Sequence, residues 1–355
     1  MNINPRTSQT TLISNNPKAS SNQLFSRSAS SWFRGLAIIM VIASHYAEWW
    51  SWFTPSEGNV ELFRTALTKL GEYGVAVFFL FSGYGLVKSI GSRRMNSHFI
   101  WKRILSTYIP YLAVVGVIEL LSEGFTSTED IWDYLSGHDY WFMVVLFILY
   151  IGFILIWSLT VNPHLRVILF AAFTAAYCWY LYQNGEHGFW YVSNPAFPLG
   201  IMLATYENSL PRIISRLRIV FLSLSAIGMA FFARFGLFPD TIASLTDDQK
   251  IWLQIGAVLV WTLLIVFAAS AMRRCDPILI RLGKDSLYLY LTHTFIFMRC
   301  VNHFTEQSLT ERFVISAVLT VVVSVSASLI VAAVTKLCGM LLEKLTSKTV
   351  ESQKS

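Results

Sequence analysis

Charged side chains are scarce in this chain. They make up 14% of its 355 residues, where a soluble globular domain carries about 25%. Hydrophobic residues reach 54% and the mean hydropathy is +0.52, which excludes an ordinary soluble enzyme. Cysteine is sparse too. Cys178, Cys275, Cys300 and Cys338 are scattered and form no Cys-x-x-Cys pair, so neither a disulfide framework nor a zinc site is expected. They read as packed thiols. Basic residues are missing from 122–139, which reads as a loop and holds Glu123, Glu129, Asp130, Asp133 and Asp139. No internal repeat is visible, and apart from a Ser/Asn/Thr-rich start there is no low-complexity segment.

What the chain has is long apolar runs and aromatic rings, with 26 Phe, 15 Tyr and 12 Trp. Runs of spanning length fall near 32–50, 74–90, 105–121, 141–160, 166–182, 191–206, 217–233, 251–271, 286–303 and 313–337. They predict an all-α polytopic membrane protein with about ten transmembrane helices. Pro195 and Pro198 near the start of the sixth run predict a kink or break there. Residues 1–30 read as a disordered cytoplasmic tail, 31–342 as one membrane domain, and 343–355 as a second cytoplasmic tail. No small-x-small cleavage site follows the first run, so it is expected to stay as a membrane helix.

The formal charge of +6 does not point to nucleic acid, because its distribution follows membrane topology. With the N-terminus inside, only Arg64, Lys69, Arg234, Lys250, Arg299 and Arg312 of the 27 Lys and Arg fall outside. That asymmetry predicts cytoplasmic N- and C-termini.

Two histidines stand out. Arg34 and His45 are eleven residues apart on the first run. At about 100° per residue they share one helix face, roughly 16 Å apart along its axis. If Arg34 marks the membrane surface, His45 lies near mid-bilayer, where an ionisable group is a functional candidate by default. Glu48, one turn further, is placed to orient the imidazole. On the ninth run Ser286, Tyr290 and His293 are spaced i, i+4, i+7 and share a face. His293 would reach a depth comparable to that of His45, so both could line one cavity. The plain alternative for each is a histidine that joins two helices, and spacing leaves it open.

Arg34, Lys102 and Arg103, with Arg93 and Arg94 nearby, form a basic group on the predicted cytoplasmic side. Such a group suits an anionic donor such as a nucleotide-bearing thioester, or simply anionic lipid. On the second run, Ser82, Gly83 and Gly85 suit close helix packing. His138-Asp139 and His45-x-x-Glu48 lack a third ligand at sensible spacing, so no metal is expected.

At these residues the chain resembles the acyltransferase-3 family of integral membrane acyltransferases. Arg34 and His45 match the family's Arg-x10-His on the first helix. Gly74 to Leu86, with Phe78-Phe79 and Ser82-Gly83-Tyr84, is similar to its second helix. Asp139-Tyr140-Trp141-Phe142 resembles the Trp-Phe entry to its fourth helix, and Leu282 to His293 its late Ser-x-x-Leu-Tyr-x-x-His segment. Together these span most of 32–337. One element departs: Arg103 is followed three residues later by Ser106 where many members have a second Arg. The esterase-like domain fused to many relatives is not expected here.

The resemblance implies transfer of an acyl group, usually acetyl, from cytoplasmic acyl-CoA as co-substrate to a hydroxyl of a cell-surface glycan or its lipid-linked precursor, in the plasma or inner membrane. His45, Arg34 and Glu48 would be the catalytic group. Arg34, Lys102 and Arg103 would bind acyl-CoA, and His293, Tyr290, Ser286, Ser82, Tyr84 and Trp141 would line the cavity or hold the acceptor. No bound cofactor is expected. The rival class is a proton-coupled transporter or flippase of a sugar-lipid or acylated substrate.

Overall fold

A computed structural model of the chain describes residues 24–53, 58–91, 95, 97–122, 124–237 and 245–352. Arg93, Arg94 and Glu123 lie outside the described residues, as does 1–23 of the expected tail. Leu24 and Phe25 are buried, and helix α1 (Arg27–Phe53) begins at Arg27 rather than at the expected residue 31. No strand occurs among the described residues.

All ten predicted runs fall on helices: α1, α2 (Gly58–Ile90), α4 (Ile109–Leu121), α6 (Trp141–Leu159), α7 (Pro163–Gln183), α8 (Ala196–Thr205), α9 (Leu210–Leu237), α10 (Asp247–Ala271), α12 (Ser286–His303) and α13 (Leu309–Ser352). Seven helices among the described residues are long and apolar enough to cross a membrane. Three of the ten are not in that set, for two physical reasons. The helix α8 has only ten residues, about 15 Å, because it starts at the Pro195 break. The other two, α1 and α12, are long enough but carry the ionisable groups, Arg34, His45 and Glu48 on one and His293 and Arg299 on the other.

Close helix approach is set by glycine. A Cβ on Gly35 of α1 would lie 2.0 Å from Leu279 O. One on Gly283 would lie 1.7 Å from Ser31 O. So α1 crosses α11 (Pro277–Lys284) backbone to backbone. The pair Gly83 and Gly200 does the same for α2 and α8, with Cβ positions 2.2 Å from Phe197 O and 2.1 Å from Leu80 O. In a bilayer, where lipid is as apolar as leucine, such van der Waals fit drives helix association. Gly85, expected to share this role, meets nothing within 4 Å of a Cβ. Aromatic rings fill the interior, with Phe79, Tyr111, Phe153, Phe170, Phe197 and Phe297 fully buried.

The third run is interrupted. Between α3 (Ser97–Arg103) and α4 lies a π-helical turn, Ile104–Tyr108. Pro110 is the cause: it lacks an N–H for Ser106 O and its ring crowds that carbonyl. The turn widens so that Ile109 N–H reaches back to Ile104 O, a register shift that concentrates at functional sites.

The acidic segment 122–139 is more than a loop. It holds α5 (Thr128–Ser136), started by a Ser127/Asp130 capping box. Here α5 folds back along α4: Tyr134 OH donates to Leu112 O at 2.7 Å and Tyr111 OH to Tyr134 O at 2.6 Å. Packing of the half-buried Tyr134 on the buried Tyr111 is what the acidic composition concealed.

Candidate functional site

The Gly35–Gly283 crossing sets Arg34 beside Arg281 and Lys284 of α11. With Arg103 these cations surround the mouth of a cavity of about 580 Å3. One carboxylate, Asp285, is present. It is 3% exposed and accepts from Arg281 Nε at 2.5 Å and Ser328 Oγ at 2.7 Å. Four cations against one anion leave a strongly positive concavity, which focuses field on an anionic ligand.

Of these cations Arg281 is paired with Asp285. Among the described residues Arg34 donates only to its own helix, to Ser30 O at 3.4 Å and Ser31 Oγ at 3.3 Å. The Arg103 guanidinium stacks over Phe99 at 5.4 Å, and its buried Nε has no hydrogen-bond partner among the described residues. Hydroxyls interleave with them. Ser106 and Thr107 come from the π turn, Ser82 from α2 and Ser286 from α12. Val41, Val75, Phe78, Phe142 and Tyr290 are among the cavity's other lining residues.

The two histidines are not among the lining residues but follow two of them closely along their helices. Val41 lies one turn before His45 on α1, and Tyr290 three residues before His293 on α12. The His45 and His293 rings meet with centroids 5.1 Å apart. Trp49 covers both, 5.4 Å from His45 and 5.9 Å from His293, and stacks on Phe297 at 4.2 Å. His293 is 2% exposed and its Nδ1 lies 2.6 Å from Tyr290 O. A carbonyl only accepts, so Nδ1 carries the proton, and in the neutral ring Nε2 is left as acceptor. Among the described residues no hydrogen-bond partner meets the His45 ring, which is free to engage a hydroxyl.

Of the other residues singled out by sequence, Ser286, Tyr290, Ser82, Arg34 and Arg103 line the cavity. Four do not. Glu48 is exposed; its carbonyl accepts from Ser51 Oγ at 2.6 Å, and no hydrogen bond joins its carboxylate to His45 among the described residues. Lys102 is exposed, one residue and about 100° away from Arg103. Trp141 packs on Phe189 and Trp190, at 5.2 and 6.2 Å. Tyr84 is two residues, about 200°, around α2 from Ser82. It donates to Glu207, which also accepts from Lys88 and, at 2.7 Å, from Leu24 N–H.

Sequence reasoning missed Arg281, Lys284, Trp49 and Glu207. For Trp49 a signal existed, since it sits i+4 from His45. Arg281 and Lys284 were legible as topology charges alone, and nothing local pairs Glu207 with α2. Among the described residues no three His, Cys, Asp or Glu side chains are grouped to hold a metal ion.

The profile of the acyltransferase-3 family, described as an acyltransferase domain, matches residues 28–335. The chain belongs to the acyltransferase-3 family. The match covers every helix that builds the cavity and the histidine pair. It runs from the first turn of α1 into α13, so this acyltransferase-3 domain is nearly the whole chain. No curated protein and no solved structure gives a significant match. Membership and the long apolar helices make this a multi-pass membrane protein of an acyltransferase family.

Proposed function

We propose that the protein transfers an acyl group, acetyl in the first instance, from acyl-CoA to a hydroxyl of a cell-surface glycan or its lipid-linked precursor. The observation that carries this reading is a cavity lined by four cations, with the His45–His293 pair adjoining it, one turn along α1 from the lining residue Val41 and three residues along α12 from Tyr290. The cations suit the phosphates of CoA, and the apolar lining residues suit a pantetheine arm. The enzyme then crosses the plasma or inner membrane ten times, with both termini in the cytoplasm: α1 and α12 join the seven more apolar spans, and the short α8 crosses together with the 191–195 turn that precedes it. The Lys and Arg asymmetry between the two sides supports that orientation.

The chemistry follows from the histidines that adjoin the cavity. His45 takes the proton as the acceptor oxygen attacks the thioester carbonyl. The C–O bond forms, the C–S bond breaks, and the proton passes to the departing CoA thiolate. In the covalent version His45 itself attacks, CoA leaves, and the acyl-imidazole is then attacked by the hydroxyl, which suits an acceptor on the far side of the membrane. The Tyr290 carbonyl fixes the His293 tautomer, so His293 presents an acceptor nitrogen beside His45 and positions a hydroxyl or a water.

The test is conversion of labelled acetyl-CoA by the purified protein in nanodiscs, offered glycan and lipid-linked glycan acceptors. Alkali-labile label on the acceptor with release of free CoA is expected. Movement of an acceptor across the bilayer with no ester formed, across a panel of acceptors, would overturn the reading in favour of a transporter.

A further inference from the structure

Arg281 precedes the late segment that resembles the family, and Lys284 is none of that segment's Ser, Leu, Tyr or His positions, yet both stand in the mouth with Arg34 and Arg103. Both are exposed within it. The helix that carries them is short and firmly seated. Asp276 caps it, accepting from Ile278 N at 2.8 Å and Leu279 N at 3.1 Å, and Gly283 presses it on α1. Asp285 grips Arg281 through Nε at 2.5 Å, while Ser328 of α13 holds the other carboxylate oxygen at 2.7 Å. The two terminal guanidinium nitrogens of Arg281 make no hydrogen bond among the described residues. Arg281 is thus a fork anchored by its stem edge with its outer edge free, the geometry that binds phosphate in a bidentate way. Lys284 adds a point charge one turn on.

We infer that Arg281 and Lys284 bind phosphates of the donor's nucleotide and set a preference for nucleotide-bearing thioesters over donors that carry only the pantetheine arm. The inference rests on the acyl-CoA reading above and adds the part of the donor that is read and the residues that read it. Charge supports it: a nucleotide thioester with three phosphate groups brings about four negative charges, and the mouth holds four cations against the single Asp285 carboxylate, a clear positive excess. Asp285 is a positioning residue here, since it acts on the donor only through Arg281. Lys102, exposed outside the cavity, contributes little to this recognition.

The experiment compares acetyl-CoA with acetyl-pantetheine, which has the same reacting thioester and no phosphate. Wild type, Arg281→Gln, Lys284→Gln and Arg281→Lys are assayed in nanodiscs, and binding of unacylated CoA is measured in parallel. The Gln variants should raise the KM for acetyl-CoA at least tenfold each, leave the KM for acetyl-pantetheine unchanged, and weaken CoA binding by the same factor. Arg281→Lys should recover part of the loss. Equal losses on both donors would mean a structural role and would overturn the inference, as would no change on either. Unaltered CoA binding in the variants, with wild type binding CoA, overturns this inference and leaves the transferase reading standing. A wild type that neither binds CoA nor turns over either thioester would remove both.

Discussion

Substituting Gly283 by alanine tests how the mouth is assembled. The new Cβ would lie 1.7 Å from Ser31 O and 2.8 Å from Gly35 N, both backbone atoms on α1. Neither can rotate away. Ordinary contact needs roughly 3.5 Å, so α11 must back off α1 by roughly 1.5–2 Å. Overpacking of this kind costs about 1–3 kcal/mol. The displacement also carries Arg281 and Lys284 away from Arg34, and a misplacement of about 1 Å in a positioning group is worth about 100-fold in rate. Gly283→Ala should therefore lower the unfolding midpoint in detergent and cut kcat/KM for acetyl-CoA by about 100-fold. The control is Gly85→Ala. Its Cβ meets nothing within 4 Å, so it should be neutral or stabilising by up to about 1 kcal/mol through helix propensity. The reasoning fails if Gly283→Ala unfolds and turns over like wild type, or if both alanines behave alike.

Glu207→Ala should destabilise the protein by about 2–3 kcal/mol, because it strips one acceptor from Tyr84, Lys88 and Leu24 N–H. Denaturant unfolding reads the loss, and faster hydrogen exchange at Leu24 should accompany it; a wild-type midpoint with unchanged exchange would contradict the pairing. On the α5 cap, hydrogen bonds from Thr126 and then Ser127 hold the Asp130 carboxyl at about 2. A folded value below the unfolded one means the cap's contribution is complete above the ordinary carboxylate range and is lost as pH falls through about 2. A carboxyl NMR titration of Asp130 should find that midpoint, and Thr126→Val should raise it; a wild-type midpoint near 4, the usual value, would refute the cap.

Much of this site was readable from residue spacing. The 3.6-residue period put Arg34 and His45 on one face, and the similar depth of His45 and His293 anticipated that the two rings meet. Period also explains two misses. Glu48 at i+3 from His45 is turned about 60° off its face, while Trp49 at i+4 covers the ring. Tyr84 is on the far side of α2 from Ser82. What sequence hides is pairing at long range. Glu207 meets Lys88 across 119 residues, and Arg281 comes to Arg34 only through the Gly35–Gly283 crossing. The fold of α5 against α4 was masked in the same way, since its acidic residues read as a loop while Tyr111 and Tyr134 supply the contact.

In the proposed transferase, Arg34 and His45 of α1 serve donor binding and acyl transfer. The most direct measurement is turnover of labelled acetyl-CoA by purified protein in nanodiscs, comparing wild type with His45→Ala and Arg34→Ala at matched folded amounts. Loss of thioester turnover in both variants, by about 100-fold or more, is the predicted result. A labelled covalent adduct on wild type, absent in His45→Ala, would select the acyl-imidazole route over direct attack. Wild-type turnover in His45→Ala would contradict the account.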